Sequence, residues 1–306
     1  MRRIAASVLL GVGTALVVLG LSSSLIYDRV ALVPLDQKPG ISPGGANSSC
    51  DKLPNNCYTS RSQGSHMQVL RLWSEKLADG STKAHYDQLT DATVRSTRTV
   101  IGVPGMVPKS EQATTAVWQT GVKSEALGIG DLTYSEETVT FNRKTGEATG
   151  SSADKRSAGE LDDPSKMVAV EHKGLVFKFP FNVQKKTYAF WDGDLGAASD
   201  AKFVREENLY GTNTYVFVQD IPSREITSRD VPPGIFGAGG DAMVAAKVMY
   251  GNVRTLWVEP NTGVIIKGQE VLDKSLMSNL GTVYTTKGTI GYDEQTVKDN
   301  AKHWGS

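Results

Sequence analysis

Residues that could carry out chemistry occur in this chain, but not at the spacings that catalysis requires. The sequence contains neither a GxSxG nucleophile elbow nor an HExxH zinc motif. Adjacent acidic residues such as Glu136 and Glu137 lie in strand-like segments, where neighbouring side chains point to opposite faces. Such a pair cannot act on one substrate as the two carboxylates of a glycosidase do. We therefore predict no catalytic residue and no enzymatic activity.

Metal and phosphate sites are not indicated either. The histidines fall in no CxxC, HxxxH or carboxylate-flanked spacing; they are His66, His85, His172 and His303. The glycine-rich stretch at 237–240 lacks a strand-loop-helix context and a following Gly-Lys-Ser/Thr, so it does not predict a phosphate cradle. We predict no metal ligand and no bound cofactor.

The chain has two cysteines, Cys50 and Cys57, close together in sequence. In an oxidising compartment such a pair is most simply explained as a disulfide that closes a small loop. Metal binding would need further ligands, which the histidine spacing does not supply. The sequence thus predicts a Cys50–Cys57 disulfide.

Composition excludes one class of partner and favours one class of fold. The 33 basic and 33 acidic residues cancel, so no broad basic field is available to hold nucleic acid. The 31 glycines and 12 prolines suit a turn-rich β protein. We expect no nucleic-acid partner.

Short segments rich in β-branched and aromatic residues recur along the chain between Gly, Pro, Asn and Asp. The predicted strands are 67–73, 92–103, 114–120, 132–142, 175–179, 202–207, 213–220, 253–259, 264–272 and 282–292. Residues 74–90 could be a turn or a short helix, and 241–249 a short helix or a strand. Residues 150–166 and 222–240 are predicted loops. The pattern indicates a mainly β fold of antiparallel meanders, open or half-barrel-like, without a βαβ rhythm.

One internal similarity accompanies this pattern. Residues 138–148 align with residues 255–265, and both read as strand, Thr-Gly turn and strand. Gly can supply the positive φ that such a turn often needs. Either a common turn is reused, or the fold contains two related β layers.

Aromatic residues are concentrated between 175 and 192. The candidate set is Phe177, Phe179, Phe181, Tyr188, Phe190 and Trp191, together with Trp257. Aromatic side chains dominate β cores, which is one explanation. The alternatives are an apolar groove for a lipid or glycolipid, or a face that packs against partner subunits. Lys185 and Lys186 would then meet an anionic head group, or they form a charged turn.

The start of the chain predicts its location. Residues 4–27 are uncharged and mostly apolar, long enough for a transmembrane helix, and Arg2 and Arg3 precede them. Basic residues favour the cytoplasmic side, so we expect a cytoplasmic N-terminus and an exported main domain. A cleaved signal peptide is the alternative. The predicted organisation is a stub at 1–3, the helix at 4–27, an extended tether with the cysteine pair at 28–66, a β-rich domain at 67–292 and a polar, helical tail at 293–306.

Several blocks of the sequence resemble the PorA-type porin family of actinobacteria. They are the segment 177–192 with its Phe-Lys-Phe-Pro-Phe run, residues 254–270, residues 141–148, residues 33–36 and the N-terminal span. The resemblance implies a cell-envelope protein, with channel formation attributed to some relatives. Members commonly have a second span after the β domain, so its absence before Ser306 is a departure from the family pattern.

Strand length bears on how a channel could form. A transmembrane barrel needs about eight or more strands of about 9–11 residues with an apolar lipid-facing stripe, and most of the predicted strands are shorter and charged on both faces. Any channel is then expected to come from copies of the N-terminal helix. The leading hypothesis is a membrane-anchored envelope protein, alone, as a homo-oligomer or with other envelope proteins. The alternative is a lipid- or glycolipid-binding or envelope-assembly module with an apolar groove.

Overall fold

The computed structural model describes residues 57–157 apart from 79 and 81, residues 166–240 and 242–305, and residues 32, 33 and 35. The predicted helix at 4–27, Cys50 and most of the tether lie outside this part of the chain. The transmembrane helix and the Cys50–Cys57 disulfide therefore stay predictions. Across the described ranges, no helix has both the length and the apolar character to span a bilayer.

The described chain forms one antiparallel sheet of twelve strands, which confirms a mainly β fold. The strands are β1 (Cys57–Lys76), β2 (Thr82–Gly102), β3 (Thr115–Ala126), β4 (Gly130–Asn142), β5 (Lys155–Ser157), β6 (Met167–Ala169), β7 (Tyr188–Asp192), β8 (Ala197–Leu209), β9 (Thr212–Val231), β10 (Val244–Val258), β11 (Ile265–Ser278) and β12 (Gly281–Tyr292). Short 3₁₀ turns occupy Pro104–Met106 and Pro233–Phe236, and α1 (Glu294–Trp304) follows β12. The spatial order is β6-β5-β4-β3-β2-β1-β12-β11-β10-β9-β8-β7.

The strands are longer than the sequence predicted. β1, β2 and β9 contain 20, 21 and 20 residues. The predicted turn or short helix at 74–90 is wrong, because β1 and β2 continue through most of it, and β9 extends to Val231 through a predicted loop. Cross-strand contacts hold these polar extensions: the rings of Trp73 and His85 stack at 4.2 Å. The premise that the strands are too short to cross a bilayer is therefore wrong.

The sheet is rolled, so that strands near its two edges come together. Arg156 on β5 donates a hydrogen bond from Nη1 to the carbonyl oxygen of Gly193, beyond β7, at 2.8 Å. Leu175 forms an antiparallel bridge with Glu147 and a parallel bridge with Phe190. The predicted strand at 175–179 is wrong, since only this bridging residue pairs there. Together these contacts make a seam that completes the half-barrel-like shape.

The first and last long strands of the described chain are neighbours. β12 lies between β1 and β11, with Ser62 opposite Tyr292. The following helix α1 begins at its N-cap Asp293, whose side chain accepts a hydrogen bond from the amide of Thr296. Its residues Val297 and Ala301 pack against Ile266 on β11. The two halves of the sheet are therefore joined by a strand from the C-terminal part.

The internal similarity corresponds to two turns with the same hydrogen bonds. Gly146 donates to the carbonyl of Asn142 at 2.9 Å, and Gly263 donates to that of Glu259 at 2.9 Å. The two glycines have φ angles of 78° and 74°. Both turns end a strand beside residues 175–183, and each glycine lies against a carbonyl oxygen of that segment. The similarity reflects two equivalent supports for one central segment.

Candidate functional site

The segment 175–183, which we call the core segment, lies between two parts of the rolled sheet. Leu175, Phe179 and Val183 belong to a cluster with residues of β7 to β10. Phe177 and Phe181 pack instead with residues of β1 to β4. Side chains four residues apart therefore share a wall, a repeat that differs from the two-residue alternation of a β-strand. The core segment thus holds two walls of the sheet together.

Most of the predicted aromatic residues are buried. Tyr188, Phe190, Trp191 and Trp257 are 5–9% exposed, and Phe179 is fully buried. The ring centroids of Phe179 and Phe217 lie 4.5 Å apart. This placement agrees with the core explanation that the sequence left open.

Trp257 is separate from the other six residues. Its neighbour Leu256 packs in the aromatic cluster, so Trp257 lies on the opposite face of β10. The ammonium group of Lys267 sits 4.3 Å from its ring centroid. The structure therefore divides the candidates. Phe179, Tyr188 and Phe190 share one cluster, Phe177 and Phe181 pack in a second, Trp191 packs in a third, and Trp257 lies apart from them.

The lysines of this region have partners in the protein. Lys185 forms an ion pair with Glu206, and the ammonium group of Lys186 lies 5.1 Å from the ring centroid of Tyr188. Lys178 is 8% exposed, with its ammonium group 3.4 Å from the ring centroid of Phe181. Burial lowers the pKa of Lys178 to about 7, against the opposing attraction of Glu259.

A charged network that the sequence analysis did not predict lies beside the aromatic core. The guanidinium of Arg254 on β10 donates to Asp192 Oδ2 at 2.9 Å, to Gln219 Oε1 at 2.7 Å and to Glu270 on β11. Asp192 and Gln219 are fully buried, and Tyr250 donates its hydroxyl hydrogen to Asp192 Oδ2 at 2.8 Å. One cation thus connects strands β7, β9, β10 and β11.

The network keeps its members charged despite burial. Desolvation disfavours the ionised carboxylate of Glu270, but attraction to Arg254 outweighs it and lowers the pKa of Glu270. Burial also opposes charge on Arg254, yet Glu270 and Asp192 raise its pKa. Lys274 extends the network through a 2.6 Å ion pair with Asp194. The arrangement resembles a structural ion-pair network more than a reactive centre, because each charge faces an opposite charge.

A second charged cluster lies at the seam. His172 is fully buried, with Nδ1 2.9 Å from Asp154 Oδ2 and Nε2 3.7 Å from Glu137 Oε1. Burial disfavours the imidazolium, but the hydrogen bond to Asp154 and the negative charges of Asp154 and Glu137 outweigh it and raise the pKa of His172 to about 9. Trp191 Nε1 donates to the same Glu137 oxygen at 3.3 Å. A buried cation therefore joins β4 to the edge strand β7.

An apolar groove opens at the other end of the sheet, away from the core segment. Its volume is about 490 Å³, and its lining includes Leu70, Tyr86, Ile235, Phe236, Val283 and Tyr284. The 3₁₀ turn Pro233–Phe236 forms one side, and strands β1, β2 and β12 form the other. A smaller cavity of about 380 Å³ lies against β3 and β4, with Glu136, Lys155 and Met167 in its lining. None of the seven predicted aromatic residues lines either cavity.

Within the described ranges, no group of three or more His, Cys, Asp or Glu side chains is placed to hold a metal ion. Cys57 is the first residue of β1, and its predicted partner Cys50 lies outside those ranges. The charged network could not be predicted because Arg254 and Asp192 are 62 residues apart in sequence. The only local signal was the placement of Arg254 and Glu270 inside a strand-like block.

Comparison with known proteins finds a family profile and a curated relative that match this chain. The profile of the family described as "Porin PorA" matches residues 5–306. A protein named "Porin PorA" from Corynebacterium amycolatum is 29% identical over an alignment that covers 38% of this chain and 40% of the relative. The match thus spans well under half of that relative's length.

Proposed function

Since the chain belongs to the PorA porin family, we propose that it is a membrane-anchored cell-envelope protein that contributes to a channel and has no enzymatic activity. Residues 4–27 are its anchor, with the N-terminus in the cytoplasm and the sheet outside. The observation that carries the proposal is the family match, which extends from residue 5 to residue 306. The apolar character and length of residues 4–27 support the anchor.

The packing of the described sheet bears on where a conducting path would lie. One end is filled by the core segment and its aromatic neighbours, and the middle by a cluster that includes Met67, Tyr250 and Ile290. A packed interior has few spaces larger than a water molecule. This supports a path formed by several copies of the N-terminal helix, with the sheet as an attached domain. Gly11, Gly13 and Gly20 allow such helices to approach closely.

Planar-bilayer recordings test this proposal. We expect the full chain to conduct and a chain of residues 28–306 to be silent. Gly13→Ile with Gly20→Ile should abolish conductance by separating the helices, whereas Val12→Ile with Val17→Ile, the matched control, should leave it unchanged. Membrane insertion of all four proteins is checked by carbonate extraction. Equal conductance of residues 28–306 would refute the proposed path.

The groove of about 490 Å³ favours a second candidate, a lipid- or glycolipid-binding module. Its volume lies within the usual range of about 300–1,000 Å³ for ligand sites, and its lining is largely apolar and aromatic. Mass spectrometry of lipids that co-purify with the full chain tests it. We expect Ile235→Asp to remove a bound lipid and Val253→Asp, on the exposed surface, to retain it. No lipid in the wild-type protein would exclude this candidate.

A further inference from the structure

Three turns at one end of the sheet expose large aliphatic side chains. Leu77 follows β1 and is 38% exposed, Met243 precedes β10 and is 56% exposed, and Leu280 joins β11 to β12 and is 41% exposed. We call these three residues the distal rim. Scattered single apolar residues are ordinary on a protein surface. The positions of these three relative to one another therefore decide whether they form an interaction surface.

Strand register places the three turns at the same level. Thr286 on β12 lies opposite Val69 on β1, so the β11–β12 turn ends within a few residues of the end of β1 at Lys76. Lys247 on β10 lies opposite Met277 on β11, which sets Met243 level with the same turn. The distal rim therefore gathers side chains from distant parts of the sequence along one edge, beside the apolar groove.

The β3–β4 turn provides an internal comparison. It carries Ile129, which is 46% exposed. Ala126, at the end of β3, lies opposite Val94 on β2, while β2 begins twelve residues earlier at Thr82. At about 3.3 Å per residue the end of β3 is set back by roughly 40 Å along the strand, and the turn that follows it by roughly 30 Å. Ile129 is thus an exposed aliphatic side chain on a turn away from the rim, and it can serve as a control.

The N-terminal part of the chain meets the opposite end of the sheet. The amide of Val33 donates to the carbonyl of Arg143 at 2.9 Å, and Arg143 Nε donates to the carbonyl of Val33 at 2.6 Å. Arg143 follows the last residue of β4, which is at the end where β1 begins. β1 contains 20 residues and so spans roughly 60 Å. If residues 4–27 are the anchor proposed above, the rim points away from the anchoring membrane.

We propose that the distal rim docks on a lipid bilayer other than the one that holds residues 4–27, by inserting Leu77, Met243 and Leu280 into its interface. Separate protruding turns suit insertion into a fluid interface, whereas a protein partner would require a continuous complementary face. Gly80 and Gly281 lie in two of these turns, with no other residue close enough to restrict them. Near the rim Lys247 is paired with Glu225 at 2.8 Å, and the exposed Glu75 and Lys83 of the β1–β2 hairpin have opposite charges. Because charges of both signs occur there, apolar contact and not net charge provides the attraction.

Flotation of protein nanodiscs with separate phosphatidylcholine vesicles tests the rim. The full chain is placed in nanodiscs, so that the proposed anchor at residues 4–27 already occupies a bilayer and cannot insert into the vesicles. Empty vesicles are then added. We expect the wild-type nanodiscs to float with the vesicles equally well at low and high salt. Leu77→Ser, Met243→Ser and Leu280→Ser combined should reduce the bound fraction by about tenfold or more.

A matched control replaces three equally exposed residues away from the rim. Ile129→Ser, Val204→Ser and Val271→Ser combined should float like the wild type, and thermal unfolding verifies that both triple variants are folded. Loss of flotation in this control, or no flotation of the wild type, would overturn the proposal. Pairing of wild-type nanodiscs without vesicles, if abolished by the rim variant, would assign the rim to a second copy of the chain and also overturn it.

Depth-dependent quenching gives an independent reading. Leu280→Trp should be quenched by brominated lipids in the added vesicles, whereas Ile129→Trp, at the turn that is set back, should not. Equal quenching of the two variants would contradict the proposal. Because flotation and quenching do not measure current, a silent bilayer recording would refute the channel and leave the rim unaffected.

Discussion

At the scale of single residues, Arg254 contributes most to the charged network. Its guanidinium contacts Asp192, Gln219 and Glu270, and Asp192 is fully buried. Removing one member of a buried ion pair leaves an uncompensated charge in a medium that solvates it poorly. Arg254 is therefore important for stability because its removal would leave buried carboxylates without a cation.

We expect Arg254→Met to lower the free energy of unfolding by about 3–5 kcal/mol, because Asp192 and Glu270 would stay buried without their cation. Urea denaturation followed by tryptophan fluorescence measures the change. Arg205→Met is the matched control: Arg205 pairs with Glu207 while 51% exposed, so its loss should cost at most about 1 kcal/mol. Similar costs for the two variants would contradict the assignment of Arg254.

His172 predicts a dependence of stability on pH. Its folded pKa of about 9 exceeds the ordinary histidine value of 6.5, so its ion pairs stabilise the fold fully below pH 6.5 and this contribution is lost as pH rises through 9. The contribution amounts to about 3 kcal/mol. Lys178, whose pKa is lowered to about 7, acts in the opposite direction between its folded and unfolded values.

The His172 contribution is therefore measured as a difference. We expect the stability of the wild type minus that of His172→Gln to decrease between pH 6.5 and pH 9, since both proteins retain Lys178. Urea titrations across this range provide the values. A difference for His172→Gln that stays constant across this range would rule out a buried imidazolium.

At the scale of elements, the core segment depends on close approach by the turn that ends β10. A Cβ atom at Gly263 would overlap the carbonyl oxygen of Phe179, and the backbone there has a φ of 74°. Gly211 has a φ of 89°, but a Cβ atom added there would meet no other atom within 4 Å. Comparing the two glycines separates backbone strain from contact with the core segment.

We expect Gly263→Ala to destabilise the protein by about 3 kcal/mol or more, because left-handed strain and displacement of the core segment combine. Gly211→Ala should cost only about 1–2 kcal/mol, from the strain alone. Chemical denaturation measures both. Equal losses would mean that the core segment accommodates the added methyl group and does not hold the sheet together.

How far the sequence predicts these elements depends on the range of the contacts that form them. The strand at 132–142 is predictable because its own residues carry the β pattern. Residues 74–90 are not, since their polar pattern becomes a strand only through partners across the hairpin, such as Trp73 with His85. The core segment resembles a strand in sequence because it is rich in β-branched and aromatic residues, but Phe177 and Phe179, which a strand would place on one face, pack on two different walls.

The same limit applies to the candidate site. Local density identifies the aromatic side chains near residue 180, and the structure distributes them over three clusters. To predict the charged network one must know that Asp192 is next to Arg254, and no local sequence pattern shows this. The distal rim likewise depends on register between strands. Contacts between distant residues are set by topology, and the sequence predicts topology only as an antiparallel meander.

At the scale of the whole molecule, β12 connects the two halves of the sheet. It pairs with β1 on one side and β11 on the other. Without it, two long strands would expose unpaired amide and carbonyl groups, which promote aggregation.

We expect removal of residues 279–306 to convert the protein to soluble aggregates or inclusion bodies, as judged by size-exclusion chromatography with light scattering. Removal of residues 294–306 alone takes away α1 and leaves β12 in place, so this control should remain monodisperse in the same detergent, with reduced thermal stability. A well-folded, monodisperse chain after the larger deletion would show that the halves do not need β12.

The pairing of Ser62 with Tyr292 also has a consequence for the time course of biogenesis. The two partners are separated by most of the chain, and ribosomes add about 5–20 residues per second. Strand β1 must then wait roughly 10–50 s before the strand that completes it has been made. During this interval its open edge has no permanent neighbour, so a temporary escort would protect the nascent chain.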